Sequence, residues 1–175
     1  MTDRTARTIY KRYDRAREEV HRLLAGIFAG EVLAPSREVW LISPWIRNIT
    51  VLDNRAGDFA TLQPAWGRRE IRLFDCLREL LEQGTTVRVK TTSDQVSVDL
   101  LDSLRRRAEE AGLADHLETK QGNLLHTKGL LTSRCLLRGS MNFTFRGVEL
   151  NEEAVTYDTD PTEIAEMRIS VADQW

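Results

Sequence analysis

The sequence predicts a layered α/β protein with a mixed β-sheet and helices on both faces. Short apolar runs rich in β-branched residues alternate with longer segments of helical period. The resulting β-α-β-α-β order is followed by a cluster of short strands. With 175 residues, 41% of them hydrophobic and 30% charged, the chain is long enough for one globular domain with a sizeable core.

The N-terminal region carries one apolar stripe, which predicts a helix across residues 1–34 that covers one side of the sheet. The stripe consists of Ile9, Tyr13, Ala16, Val20, Leu24 and Ile27. Pro35 ends this region. Residues 39–43, VWLIS, have the composition of a buried strand, which Pro44 stops. Residues 45–69 show no clean period and predict a long loop, a type of segment that is often functional in compact domains.

Two amphipathic helices and two strands are predicted in the middle of the chain. The helices span residues 70–83 and 97–111, and each is followed directly by a glycine, the residue that most often ends a helix. Residues 86–92, TVRVKTT, alternate as a strand does, and residues 116–120 are a weaker strand candidate.

The last third of the sequence predicts three more strands and a helix. The strands are expected at residues 125–132, 135–140 and 153–157. Residues 160–163, DPTE, supply an N-cap aspartate, a proline at the first helical position and a glutamate three residues after the cap. This arrangement is typical of a helix start.

Composition excludes several classes of protein. A net charge of −2 does not indicate a general nucleic-acid binder, so any basic surface must be local. No apolar run approaches the length of a membrane span and the first residues are not a signal peptide, so we expect a cytoplasmic protein without a membrane partner. Cys76 and Cys135 lack CxxC spacing and are expected to be reduced core thiols. We expect no metal and no other cofactor.

The most informative stretch is LHTKGLLTSRCLLRGSMNF, residues 125–143. His126 and Lys128 are two residues apart, so in a strand both side chains would point to the same face. An imidazole beside a fixed cation suits attack on a phosphodiester. The hydroxyl of Ser140 and the amide of Asn142 could hold phosphate oxygens from a second strand end.

This HxK…GSxN spacing resembles the signature of the phospholipase D superfamily, as does the strand ending in SPW that precedes it. The resemblance implies a phospholipase-D-like fold in which His126 attacks phosphorus and forms a phosphohistidine. Lys128 would neutralise charge on the non-bridging oxygens, while Ser140 and Asn142 would bind phosphate or fix the two strands. Neither half of the signature is specific alone.

The resemblance also implies a carboxylate behind the histidine that selects its tautomer. Glu153 stands where the family places this group. Glu152 is the alternative, because strand alternation lets only one of the two face inward.

One position departs from the family pattern. Family members commonly carry an aspartate five residues after the lysine, where this chain has Ser133. If that carboxylate mainly stabilises a turn, a serine can replace it by bonding the backbone. If it tunes the charge of the site, activity is in doubt.

The chain has one HxK, whereas the family's active site uses two, with one histidine as nucleophile and the other as acid. The remaining histidines, His21 and His116, lie in HRL and HLE and are expected to be structural or exposed. A working site therefore predicts a homodimer with two copies of His126 facing across its axis.

The long loop contains the candidate substrate-binding residues, two tryptophans and a group of arginines that could form a basic rim. They are Trp45, Arg47, Trp66, Arg68 and Arg69, with Arg55 nearby. The tryptophans could equally be core anchors. The arginine run at residues 105–107 is expected to be a solvated helix face.

Three functions remain open on the sequence: a metal-independent DNA phosphodiesterase, a catalytically weak nucleic-acid-binding or assembly subunit, and a phospholipase. The segments SPWI, LDNR, WGRREIRL and LHTKGLL…GSMNFT also resemble DpdK-type phospholipase-D-like proteins, which occur with systems that insert 7-deazapurines into DNA. That resemblance implies a role in restriction or defence, with DNA and other proteins of a defence complex as partners.

Overall fold

A seven-stranded mixed sheet forms the centre of the protein. The computed structural model describes residues 5–123, 125–173 and 175. Its strands are β1 (Ala6–Lys11), β2 (Glu38–Ile42), β3 (Thr50–Asp53), β4 (Glu70–Arg72), β5 (Thr86–Thr91), β6 (Leu117–Gln121), β7 (Gly129–Leu131), β8 (Leu136–Gly139) and β9 (Glu153–Asp158). Its helices are α1 (Asp14–Leu33), α2 (Leu73–Glu82), α3 (Gln95–Glu110) and α4 (Pro161–Asp173).

The order of strands in the large sheet is β1-β9-β8-β7-β2-β5-β6, and β3 pairs with β4 in a separate hairpin. Strands β2, β5 and β6 are parallel, and β7, β8, β9 and β1 continue the sheet in antiparallel order. The carboxyl ends of β2, β5 and β6 therefore meet the starts of β7 and β9 at one edge. We call this the upper edge, and the opposite one the lower edge.

Helices cover both faces of the sheet, as the sequence predicts. The larger apolar cluster lies on the face of α1, α2 and α3 and includes Leu41, Val87 and Val89. The smaller cluster lies on the other face, under α4, and includes Trp40 and Leu131. Alternation along β2 explains the division, because Trp40 and Leu41 point to opposite faces.

The predicted N-terminal helix is wrong at its beginning. Residues 6–11 form the edge strand β1, and α1 begins only at Asp14. Ile9 and Lys11 are buried while Tyr10 is exposed, so burial here has the period of a strand. Residues 1–4 of the predicted helix lie outside the described residues.

The predicted long loop contains the β3–β4 hairpin and a helical turn at Pro64–Trp66. The predicted helix at 70–83 begins three residues late, because Glu70–Arg72 pairs with β3 instead. The other predicted elements before residue 121 agree with the structure within about two residues. The glycines after α2 and α3 have φ of 85° and 71°, a conformation that costs glycine little.

None of the helices in the described part of the chain is both long and apolar enough to cross a membrane.

Candidate active site

His126 and Lys128 lie at the upper edge, immediately before β7, which begins at Gly129. The strand predicted across residues 125–132 is therefore wrong in its first half, and alternation does not align the two side chains. Instead, the ammonium of Lys128 donates a hydrogen bond to the backbone carbonyl of His126 at 2.9 Å. The imidazole is on an exposed residue, open to a ligand.

Ser140 and Glu153 meet at the same edge, where β8 ends and β9 begins. The Ser140 hydroxyl donates to the Glu153 carboxylate and accepts the backbone N–H of Ala154 at 3.0 Å. Asn151 donates to the other carboxylate oxygen of Glu153 at 3.4 Å. Glu152 is exposed, so of the two candidate carboxylates Glu153 is the one held inside this network. The structure gives its carboxylate these partners and not the expected contact with His126.

Asn142 is held by Ser43, a residue that the sequence did not single out. The Ser43 hydroxyl lies 3.1 Å from Oδ1 of Asn142 and 2.8 Å from the carbonyl of Trp45, and donates its proton to these two oxygens. It also accepts the N–H of Phe143 at 3.4 Å. With Oδ1 occupied, the Nδ2 amide of Asn142 is the end that can donate to a ligand. The only signal for Ser43 in the sequence is its place in the strand end SPW.

Lys11 is a second residue that the sequence did not identify. It pairs with Glu153 across β1 and β9 and its side chain is buried. Burial lowers the pKa of the Lys11 amine, while the carboxylates of Glu153 and Glu149 act to raise it and Arg17 lowers it further. The buried amine of Lys11 therefore lies next to Glu153, the carboxylate that accepts the hydrogen bond from Ser140.

The long loop contributes less to this edge than the sequence predicts. Trp66 is 1% exposed and belongs to the apolar core, so its predicted role in substrate binding is wrong. Trp45 is half exposed, and its backbone carbonyl accepts a hydrogen bond from Ser43. The large indole of Trp66 packs within the apolar core, whereas Trp45 follows the end of β2 and points away from the core.

Two of the predicted loop arginines are engaged by carboxylates. Arg47 binds Asp94 at 2.7 Å, and Arg69 binds Asp75 at 2.8 and 2.9 Å. The pKa of the Asp94 carboxyl is lowered, mainly by the hydrogen bond from Arg47. Burial acts to raise the pKa of Asp75, but the hydrogen bonds from Arg69 and from the backbone N–H of Arg72 outweigh it, so this pKa is lowered as well. These charges are neutralised locally, which removes the physical basis for a basic rim at Arg47 and Arg69. Arg68 is exposed and stays a candidate.

Ser133 lies at the lower edge, in the turn between β7 and β8. Its hydroxyl is 2.6 Å from that of Ser36, which also accepts the Ser133 backbone N–H at 3.0 Å. Five residues of extended chain separate it from Lys128 by roughly 15 Å. The serine therefore stabilises a turn, which is the first of the two roles considered for this position.

The other two histidines belong to other elements of the fold. The ring of His21, on α1, is 2.6 Å from the carboxylate of Glu149. His116 immediately precedes β6 and therefore lies at the lower edge. Among the residues that the structure describes, no three His, Cys, Asp or Glu side chains are grouped as a metal would require.

The upper edge thus brings together an open imidazole, an ammonium group, a carboxamide and a hydroxyl–carboxylate pair. An ammonium and an amide are the donors that bind phosphate oxygens, and an imidazole can act as nucleophile, base or acid. This combination is suited to phosphate ester chemistry.

One protein of known function is similar to this chain in sequence. The chain is 31% identical to the mitochondrial cardiolipin hydrolase of Chlamydomonas reinhardtii over 103 residues, which are 59% of this chain and 45% of that protein. The chain therefore spans less than half the length of that relative.

Solved structures share the fold at low identity. Nuc from Salmonella typhimurium, a phospholipase D family member, aligns with a TM-score of 0.59 at 12% identity, covering 99% of this chain and 95% of that one. TrmBL2, an archaeal chromatin protein with a novel mode of DNA binding, aligns with a TM-score of 0.58 at 10% identity, covering 100% of this chain and 53% of that one.

The family model described as "Cardiolipin synthase, PLD-like domain" matches residues 59–175, which include β5 to β9 and every residue of the HxK…GSxN signature. The mixed sheet with helices on both faces agrees with that match. The chain belongs to the phospholipase-D-like family.

Proposed function

We propose that the protein is a metal-independent phosphodiesterase that cleaves DNA through a phosphohistidine intermediate. The observation that carries this proposal is the convergence of His126, Lys128 and Asn142 on one edge of the sheet, with their donor groups available to a phosphate. The ammonium group of Lys128 has three N–H donors, and one of them donates a hydrogen bond to the carbonyl of His126. Two therefore remain for the non-bridging oxygens.

The proposed reaction has two steps. A ring nitrogen of His126 attacks phosphorus, so a P–N bond forms while the P–O bond to the leaving oxygen breaks. A second, protonated imidazole gives its proton to that oxygen. Water then attacks phosphorus, the P–N bond breaks, and the second imidazole recovers a proton from the water. Lys128 and Asn142 stabilise the charge on the non-bridging oxygens in both steps.

Ser140, Glu153 and Lys11 are assigned a supporting role. The hydrogen bond from Ser140 ties the end of β8 to the start of β9. Lys11, which is buried, pairs with Glu153 across β1 and β9 and ties the start of β9 to the edge strand. We infer that this network fixes the strand end that leads to Asn142.

A homodimer supplies the second imidazole in this proposal. Large apolar side chains are exposed around the upper edge, where a monomer would leave them in water. Trp45, which is hydrogen-bonded to Ser43 through its backbone, is 50% exposed. Phe145 and Leu150, in the segment between Asn142 and Glu153, are 62% and 60% exposed. A second copy placed over this edge would cover them and bring two sites together.

DNA is the proposed substrate and a defence complex the proposed setting. TrmBL2 shares the fold and binds DNA, and the DpdK-like segments favour a protein of a DNA-modification system. The relationship to a cardiolipin hydrolase favours a phospholipid substrate instead, over 59% of the chain. A panel of DNA and phospholipid substrates distinguishes the two.

We expect DNA cleavage to continue at full rate when divalent cations are removed. Lys128 supplies the positive charge that a metal provides in other nucleases. The measurement is cleavage of plasmid and single-stranded DNA in excess EDTA, with His126→Ala protein prepared in parallel to exclude a contaminating nuclease. Loss of cleavage in EDTA and its return with magnesium would rule out this mechanism.

We expect Ser133→Asp to leave turnover within about twofold of wild type, a change of less than about 0.5 kcal/mol in the barrier. The substitution alters a turn at the lower edge, far from His126. The measurement is kcat on the same DNA, with Ser133→Ala as a control that removes the hydroxyl without adding charge. A gain in turnover well beyond twofold for the aspartate alone would show that the natural protein is a weakened enzyme and would favour a binding subunit.

A further inference from the structure

The segment between β2 and β3 begins with SPWIR, residues 43–47, and contacts the signature at two neighbouring residues. The Ser43 hydroxyl donates to Oδ1 of Asn142 at 3.1 Å. The backbone N–H of Arg47 donates to the carbonyl of Phe143 at 2.8 Å. The SPWIR segment therefore holds both the side chain of Asn142 and the backbone of the residue that follows it.

The other side of the SPWIR segment is attached to the end of β5 and the start of α3. The hydroxyls of Thr91 and Thr92 donate to the carbonyl of Pro44, at 3.0 and 2.6 Å. The hydroxyl of Ser97, in the first turn of α3, accepts the N–H of Ile46 at 3.0 Å. Thr91 and Ser97 are buried, so water does not compete for their hydrogen bonds.

An ion pair at the start of α3 completes this attachment. Arg47 donates to both carboxylate oxygens of Asp94, at 2.7 and 3.3 Å, and to the carbonyl of Ile46 at 2.9 Å. Asp94 is the N-cap of α3 and accepts the backbone N–H of Ser97 at 3.0 Å. The side chain of Arg47 therefore joins the SPWIR segment to α3, while its backbone N–H holds the signature.

The carboxamide of Asn142 needs such support because its two ends differ in character. Only the Nδ2 end can donate a hydrogen bond to a phosphate oxygen. The bond from Ser43 occupies Oδ1, and Ser43 is fully buried, so Nδ2 is the end directed away from the interior. A donor that is fixed before the reaction stabilises the charge that develops in the transition state without having to reorient.

We propose that Ser43 and Arg47 are positioning residues for the reaction at His126 and that neither contacts the phosphate. Ser43 acts on the carboxamide of Asn142, and Arg47, bound to Asp94, acts through the segment that carries Ser43. This inference rests on the proposed function, in which Asn142 stabilises the charge on the non-bridging oxygens. It also gives Arg47 a role different from the substrate contact expected from the sequence.

The test is the steady-state kinetics of Ser43→Ala and Arg47→Gln on DNA and on bis(p-nitrophenyl) phosphate, a small phosphodiester. A carboxamide that is free to turn stabilises the transition state less, although the substrate still binds. We therefore expect kcat to fall about tenfold for Ser43→Ala, with KM within about twofold of wild type. Arg47→Gln acts indirectly and should lower kcat about threefold, again with little change in KM.

Two matched controls remove similar groups from other places. Ser36→Ala removes the hydroxyl of a buried serine at the lower edge, where it is hydrogen-bonded within a turn. Arg105→Gln removes an arginine that binds Asp102, also on α3, at 2.6 Å. Both should leave kcat and KM unchanged. Thermal unfolding checks that each variant is folded, and Arg47→Gln, whose side chain is partly exposed, provides a test that does not alter a fully buried group.

A double-mutant cycle distinguishes positioning from a merely structural role. In Asn142→Ala protein the Ser43 hydroxyl has no carboxamide to orient, so adding Ser43→Ala should lower kcat less than about twofold. Losses that multiply would show that Ser43 acts through another group, and the inference would be overturned. A rise in KM for Arg47→Gln with unchanged kcat would also overturn it, because that pattern indicates a lost substrate contact.

The two substrates separate this inference from the proposed function. If wild-type protein hydrolyses the small diester but not DNA, the proposed substrate is wrong, and the variants still test the positioning role on the small diester. If wild-type protein cleaves DNA while Ser43→Ala and Arg47→Gln keep its kcat, the inference fails alone. Wild-type protein that hydrolyses no phosphodiester would overturn both.

Discussion

Replacing His126 by alanine should abolish DNA cleavage while leaving the fold intact. The side chain is exposed at the upper edge, so its removal opens no cavity in the core. Loss of a nucleophile from a site whose groups act together costs at least about a thousandfold in rate. The measurement is initial rate with purified variant, with circular dichroism and thermal unfolding as checks on the fold.

His116→Ala is the matched control for this substitution. It also removes one imidazole, but from the lower edge, before β6. We expect its cleavage rate to stay close to that of wild type. A folded His126→Ala protein that keeps more than about a tenth of the wild-type rate would overturn the assignment, since that loss is only ~1.4 kcal/mol of barrier.

Local sequence was a good guide wherever burial followed one clear period. The strand at residues 39–43 and the helix at 97–111 are examples, and both are confirmed. It failed at the N-terminus because Ile9 and Tyr13 are four residues apart, a spacing that suits a helix. Only the pairing of β1 with β9, at the other end of the chain, makes this segment a strand.

The residue types at the candidate site could be predicted from the signature, but their geometry could not. Ser43 reaches Asn142 across 99 residues of sequence, and Lys11 meets Glu153 through the edge pairing. Such contacts depend on the order of strands, which no local pattern contains. The same holds for Trp66, which is buried in an apolar cluster whose members come from distant parts of the chain.

Mixing wild-type and His126→Ala chains should inactivate the wild-type chains, because each proposed site is shared by two. In a heterodimer one imidazole remains as nucleophile, but the leaving oxygen has no acid to protonate it. General-acid catalysis is worth about 10²–10⁴ in rate, so heterodimers should contribute almost nothing. The exposed side chains of Trp45, Phe145 and Leu150 around the site are where the partner is expected to bind.

The loss of activity can be predicted for each ratio of His126→Ala to wild-type chains. With about nine His126→Ala chains for each wild-type chain, coexpressed so that they assemble at random, about one wild-type chain in ten finds a wild-type partner, and activity per wild-type chain falls about tenfold. Mixing with His116→Ala chains should cause no loss, because every dimer then has two copies of His126. If sites act independently, activity per wild-type chain stays constant at every ratio, and that result would refute the shared site. Cleavage by a strictly monomeric protein would refute it as well.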